Sequence, residues 1–241
     1  MGEFVTAEAA RQRFMALLDA VDAAHAEMRA LSTDDVGSRF RAQVAERLET
    51  QHRTNRGLMY RVVGELTDPP DETAPMPDLV KRLAARLRIS DLEIKRRIKV
   101  AEKIRPRRQI TGPPLPPLLP ATAKAVEAGA IGDDHLAVIT ETMKKLASSI
   151  SVDERADIEA TLARAASKHD AAFVKELGTH LDDLFNPDGH FDESDRARRR
   201  GLALGPQQPD GMSKLSGWID PETRAYLEAV TAAVRPGRHL P

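Results

Sequence analysis

The chain has 241 residues, no cysteine, 41% apolar residues with few aromatics, and a formal net charge of −1. The missing cysteines exclude disulfides, thiolate zinc centres and cysteine nucleophiles. Charges in MGEFVTAEAARQRF occupy the place of an apolar signal core, and no apolar run approaches the roughly 18 residues of a membrane span, so a cytoplasmic protein without a membrane partner is expected.

Long tracts of Ala, Leu, Arg and Glu favour helix over sheet. The expected fold class is mainly α: a multi-helix domain with a long N-terminal helical hairpin, a helix-turn-helix-like pair, and one C-terminal β-hairpin followed by a helix. A first helix runs from about Thr6 to Leu31. Phe14, Leu18, Val21, His25 and Met28 recur four and three apart along it and form a packing seam, on which His25 reads as a partly buried histidine. Ser32-Thr33-Asp34 supplies cap chemistry for a second helix carrying Val36, Phe40, Val44 and Leu48 and continuing through Leu58, Val62 and Leu66, with a kink expected at Asn55-Arg56-Gly57. Together, residues 1–67 read as an antiparallel helical hairpin.

DPPDETAPMP, residues 68–77, ends that hairpin because proline lacks the amide donor and restricts its predecessor. Asp78 then caps a short helix with Leu79, Leu83 and Leu87 on one side. Arg88-Ile89-Ser90 makes a turn, and Ser90-Asp91-Leu92-Glu93 matches the capping box that opens the next helix. In that helix Ile94, Ile98, Ala101 and Ile104 fall on one arc and Lys95, Arg96, Lys99 and Lys103 on the opposite one.

This segment, residues 78–105, dominates the charge distribution. Lys81 to Arg108 holds twelve Lys or Arg against three Asp or Glu, a balance of +9 that leaves −10 on the other 213 residues. A basic stripe of this kind concentrates polyanions. Helix, tight turn and capped helix with an outward row of cations is also the plan of a DNA-reading helix-turn-helix, with Ala84 small where the helices cross and Leu87, Ile89 and Ile94 plugging the joint. Arg88 stands where a turn glycine is usual, and Arg97 where an apolar residue is often found. The expected nucleic-acid contacts are Arg86, Arg88, Lys95, Arg96, Lys99 and Lys103, joined by Arg107 and Arg108 at the start of the proline-rich linker of residues 106–120.

Residues 121–200 read as a helical scaffold: AKAVEAGAIG, a helix from Asp133 to about Ser149, and a run from the Ser151 cap to about Phe185 that faces Ile158, Leu162, Phe173, Val174, Leu177 and Leu181 to a core. HLDDLFNPDGHFDESD collects His180, Asp182, Asp183, Asp188, His190, Asp192 and Glu193. Its Asn186-Pro187-Asp188-Gly189 is a turn signature, and no metal-ligand spacing is present. Arg196, Arg198, Arg199 and Arg200 form a second basic cluster. Residues 201–241 change period: Leu202 and Leu204 alternate, Pro209-Asp210-Gly211 turns, and Met212 to Ile219 returns as a β-hairpin. Asp220-Pro221 opens a last helix, to Val234.

LAARLRISDLEIKRRIKVA, PPLPPLLPATAKAVEAGAIGDDHLAVI and RRRGLALGPQQPDGMSKLSGWIDPETRAYLEAV resemble the 13E12-repeat family of actinobacteria, also described as domain of unknown function 222. The resemblance covers nearly the whole chain and implies a DNA-related, mobile-element setting. Members commonly continue into an HNH endonuclease domain, where histidines and an asparagine hold a metal. The sequence reaches Pro241 without an HNH segment, so no catalytic residue, metal ligand or cofactor is assigned. The expected function is a non-catalytic module that binds or positions DNA. The alternatives are a helical scaffold or homo-oligomer formed through the N-terminal seam, and a metal-dependent nuclease built on His180 to Asp192.

Overall fold

The structure, a computed structural model, describes residues 6–67, 76–109, 111–187 and 191–234. Within them are ten helices and one two-stranded antiparallel sheet, so the fold is mainly α as its composition requires. Two compact units divide the chain, residues 1–52 and 53–241. The proline-rich segment expected to end the second helix lies mostly outside the described residues, as do Asp188, His190 and His239.

In the first unit, helix α1 spans Ala7–Ala30; its Thr6 cap accepts a 3.2 Å bond from the Ala9 amide. Helix α2 spans Gly37–Thr67 and continues into the second unit without a break at residues 55–57. The expected Ser-Thr-Asp cap of α2 does not form. Ser32 Oγ instead accepts from the Asp34 amide at 3.1 Å, and Arg41 reaches back to the carbonyls of Thr33 and Asp34. The short polar side chains are used to close the interhelix turn, and α2 starts at Gly37, whose φ of +72° suits a residue without Cβ.

The second unit holds α3 (Met76–Leu87), α4 (Asp91–Ile104), α5 (Pro120–Glu127), α6 (Asp133–Lys145), α7 (Val152–Ala166), α8 (Ala171–Phe185), α9 (Glu193–Arg199), strands β1 (Gly201–Gln207) and β2 (Ser213–Trp218), and α10 (Pro221–Val234). Helix α3 begins two residues before its expected Asp78 cap, which leaves that carboxylate in the first turn, where the helix dipole favours it. The run expected to be one helix from Ser151 to Phe185 is two. Ser151 and Glu154 close a capping box on α7, and Asp170 accepts from the Phe173 amide at 2.9 Å to start α8. Between the two helices, His169 offers its carbonyl to His135 Nε2 at 2.9 Å, while His135 Nδ1 accepts from the Gly132 amide.

One apolar cluster gathers Tyr60, Val126, Leu136, Ile139, Leu162 and Val174 with their neighbours from α4 to α8. A buried aliphatic side chain of this kind contributes about 1.5–3 kcal/mol. Phe173, expected in that core, is instead exposed and stacks on the His169 ring at 4.2 Å. Helices α6 and α8 approach so closely at Gly178 that a Cβ there would meet Thr142 Oγ1 at 2.8 Å.

The proline-rich stretch before α5 folds back on itself, because Arg107 and Leu115 exchange two 2.9 Å backbone bonds. Helix α5 then opens on Pro120, and Leu119 supplies no side-chain cap. Glu159 of α7 takes over that role from a distance. Its buried carboxylate accepts from the Ala121 and Thr122 amides at 3.2 and 2.6 Å and from the Thr122 hydroxyl at 2.5 Å. The β-hairpin pairs Leu204 with Leu215 and Gly201 with Trp218, and the Asp220 cap of α10 accepts from the Thr223 amide at 2.8 Å. Replacing Glu159 by Ala leaves three donors at the start of α5 without their acceptor, and urea denaturation should register a loss of about 3 kcal/mol.

Candidate nucleic-acid interface

The basic stretch is organised by the joint between α3 and α4. At the end of α3 the Ile89 amide bonds to the Ala84 carbonyl at 3.1 Å and the Arg88 amide to the Ala85 carbonyl at 3.3 Å. These two bonds are the Schellman arrangement, which needs a left-handed residue between them. Arg88 is that residue, with φ +55°. The position where a glycine is usual therefore keeps the glycine conformation, at a backbone cost of about 1–2 kcal/mol for a residue with a Cβ. Ser90 then caps α4 by accepting from the Glu93 amide at 3.2 Å.

Beneath the joint, Val80 and Ala84 of α3 and Ile94 and Ile98 of α4 are buried together with Val63 of α2, with Met59, Leu83 and Ile89 packed around them. Of the apolar arc read from the sequence, Ile94, Ile98 and Ala101 are buried and Ile104 is half-buried. Leu87, expected to plug the joint, is exposed because it lies on the outer side of α3.

The capping box is only half formed. Glu93 does not return to the Ser90 amide; it is held by three guanidinium groups, from Arg56 at 2.8 Å, Arg96 at 2.8 Å and Arg97 at 2.8 Å. Charge-assisted bonds to three cations outweigh one bond to a neutral amide. Asp133, at the start of α6, completes the group. It binds Arg56 at 2.7 Å and Arg96 at 3.0 Å and accepts a 2.6 Å hydrogen bond from the Tyr60 hydroxyl. Three cations and two carboxylates thus tie α2, α4 and α6 together.

The charges respond to one another. Hydrogen bonding to Arg96, and further bonds from Arg97 and Arg56, hold the Glu93 carboxyl well below the usual carboxylate range despite partial burial. Burial alone would raise Asp133, but bonds from Arg56, Tyr60 and Arg96 bring it below its ordinary value. Burial, reinforced by the Asp133 bond, pushes the Tyr60 phenol up to about 12.

The expected contact residues separate into groups. Arg86 and Arg88 at the end of α3, and Lys95 and Lys99 on α4, are exposed and have no ion-pair partner among the described residues. Arg96 stands on the same arc but is committed to Glu93 and Asp133. Lys103 is half-buried, and desolvation together with Lys144 pulls its ammonium below the lysine value. Arg107 and Arg108 are both exposed, and Arg107 donates from Nε to the Pro116 carbonyl at 3.0 Å within its own loop. Lys81 of α3, absent from the expected set, lines a groove of about 410 Å³ together with Lys95 and Lys99 and with Asp91 and Glu102.

The second basic cluster is largely neutralised by its own acids. Arg198 pairs with Asp195, Arg196 with Glu193 at 3.8 Å, and Arg200 with Glu193 at 3.3 Å and Asp220 at 2.8 Å. Arg199 lies over the Trp218 ring at 5.4 Å. Among the described residues no three of His, Cys, Asp and Glu converge to hold a metal ion. No described helix is long and apolar enough to cross a membrane.

Arg56, Tyr60 and Asp133 were not legible as a site. Their signal was an Arg and a Tyr four apart on the stripe of α2 that also carries the buried Val63, where a cation requires a partner.

Residues 42–239 match the family described as Domain of unknown function (DUF222). The chain belongs to this family. Among its relatives is an uncharacterized protein of Mycobacterium tuberculosis (strain ATCC 25618 / H37Rv), 38% identical over 232 residues, which are 96% of this chain and 51% of that one. A second from the same strain is 40% identical over 202 residues, 84% of this chain and 45% of the relative. An uncharacterized protein of Mycobacterium bovis is 36% identical over 222 residues, covering 92% and 49% respectively. This DUF222 chain spans about half the length of the curated relatives it matches. No solved structure matches it.

Replacing Tyr60 by Phe should cost this DUF222 chain about 1–3 kcal/mol at neutral pH, through the missing bond to Asp133. The phenol ionises near its ordinary 10.0 when unfolded but only at about 12 when folded, so its contribution is complete below pH 10 and falls as pH rises between those values. Urea denaturation across that window should therefore show the difference between wild type and Tyr60→Phe shrinking as pH rises.

Proposed function

We propose that the α3–turn–α4 segment is a DNA-binding helix-turn-helix, and that the chain is a non-catalytic module that binds or positions duplex DNA. The observation that carries this reading is the joint itself. A left-handed residue sits between two helices packed on a third, and the second helix turns exposed cations away from the core. In the known docking geometry, the N-terminal part of the second helix enters the major groove while the first crosses the backbone.

On that plan Lys95 and Lys99 of α4 and Arg88 of the turn meet the duplex. Arg86 and Lys81 of α3 bind phosphates at its margin. Leu92, at the second position of α4 and 77% exposed, has an apolar surface facing the same side as Lys95 and Lys99. Phosphate neutralisation supplies most of the affinity, and removing one phosphate-binding cation should lower the salt dependence of binding by close to one unit of log–log slope. Arg96 acts differently in this scheme: it holds α4 against Asp133 and so sets the pitch at which the cationic row is presented.

The finer setting follows the 13E12-repeat resemblance. We propose that the module works beside an HNH endonuclease segment of the kind found in that family. In its support, the mycobacterial relatives carry about as much chain again as the part aligned here, which is room for a second activity.

A salt titration of binding to random duplex DNA tests the proposal. Lys95→Ala combined with Lys99→Ala should weaken binding and reduce the log–log slope by about 2, with urea stability unchanged to within about 0.5 kcal/mol. Undiminished binding by that variant, or no duplex binding by wild type at low salt, would overturn the reading. Arg88→Gly separates structure from DNA contact. Relief of the left-handed backbone should leave stability equal or higher by about 1 kcal/mol, while DNA affinity falls.

A further inference from the structure

Residues 1–52 form a compact unit, yet none of the described residues 6–52 is buried. Only His25 and Val44 are even half-buried. The seam residues Phe14, Leu18, Val21 and Met28 remain 42–48% exposed, and Phe40 and Leu48 of α2 are exposed to a similar degree. A folded unit normally withdraws such side chains from water, and one of this size is marginal even with a complete core. This apolar surface is left largely in contact with water.

We propose that a second copy of the chain covers it, with α1 of each copy lying antiparallel to α1 of the other. Spacing and charge both select this occupant. Phe14, Leu18, Val21, His25 and Met28 repeat at an average of 3.5 residues, the period of a helix-pairing seam, and Arg11 continues it toward the N-terminus. A parallel pair in register would set Arg11 against Arg11 and His25 against His25. An antiparallel pair centred between Leu18 and Val21 sets Leu18 against Val21, Phe14 against His25 and Arg11 against Met28.

The same alignment brings Glu8 of each copy beside Arg29 of the other. Because the relation is a two-fold, this pair forms at both ends. Within one copy Glu8 meets only exposed partners on its own helix, Arg11 at 3.5 Å and the Gln12 amide nitrogen at 3.3 Å, and Arg29 has no ion-pair partner among the described residues. Both are available. The positions on the other flank, Ala10, Leu17, Ala24 and Leu31, carry no charge to oppose the pairing.

Sedimentation equilibrium of the full chain should show a dimer, and a protein that stays monomeric at micromolar concentrations would overturn the proposal. Leu18→Asp places a carboxylate in the seam and should raise the dissociation constant by roughly a hundredfold or more; a dimer indifferent to it would overturn α1 as the seat. The charge variants carry the test if that variant fails to fold. Glu8→Arg and Arg29→Glu should each weaken the dimer roughly three- to tenfold, and the two together should restore it. Damage to the isolated helix would instead add up, since Arg at its start and Glu at its end both oppose the helix dipole. A double variant no better than either single one, or single variants without effect, would overturn the antiparallel pairing.

Discussion

The arrangement of the second unit depends on one partly buried charge group, in which Asp133 and Glu93 share Arg56 and Arg96, Glu93 also holds Arg97, and Asp133 also holds the Tyr60 hydroxyl. Desolvating so many charges is costly, and the cost is offset only while every member keeps its partners. Removing Glu93 would strand Arg97 and leave Arg56 and Arg96 with Asp133 alone, and removing Asp133 would leave Arg56 and Arg96 dependent on Glu93 and the Tyr60 hydroxyl without its acceptor. The group therefore specifies geometry more than it adds stability: α4 fits at one rotation about its axis, with Ile94, Ile98 and Ala101 inward.

That rotation divides the positive charge of residues 81–108 into two kinds. Arg96, although exposed, and the partly buried Arg97 are taken up by ion pairs within the molecule, and the Arg105 guanidinium donates to the Gly64 carbonyl at 3.2 Å. Lys81, Arg86, Arg88, Lys95 and Lys99 are left outward along the joint. The local excess of +9 is thus partly structural, which is why a count of cations overstates the surface offered to a polyanion. What remains is a narrower row whose spacing is set by α4 and by the left-handed turn at Arg88.

Local chemistry was the most readable part of the sequence. Ser90 before an i, i+4 apolar arc gave the start of α4 and its buried face, and Asp220-Pro221 gave the start of α10, because each needs only neighbours within one turn. The alternation of Leu202 and Leu204 around Pro209-Asp210-Gly211 gave the hairpin for the same reason. Readings that depended on distant partners went astray. Glu93 matched a local box yet also serves Arg56 from α2, whereas the Ser32-Thr33-Asp34 cap failed for a local reason, its Ser32 hydroxyl closing a turn with the Asp34 amide. The break at residues 167–170 did have a local signal, the Asp170 cap, hidden inside an otherwise helical pattern. Asp133 and Tyr60 come together from 73 residues apart, and no spacing announces that.

Under the proposed DNA-binding role, internal pairing decides which cations remain for a duplex, and side-chain NMR reads this out residue by residue. The Nε–H signals of Arg56, Arg96 and Arg97 and the Nζ signals of Lys95 and Lys99 would be followed as duplex DNA is added at low salt. The two lysine signals should shift while the three arginine signals keep their positions and slow exchange. Shifts at Arg96 and Arg97 with Lys95 and Lys99 unmoved would contradict it.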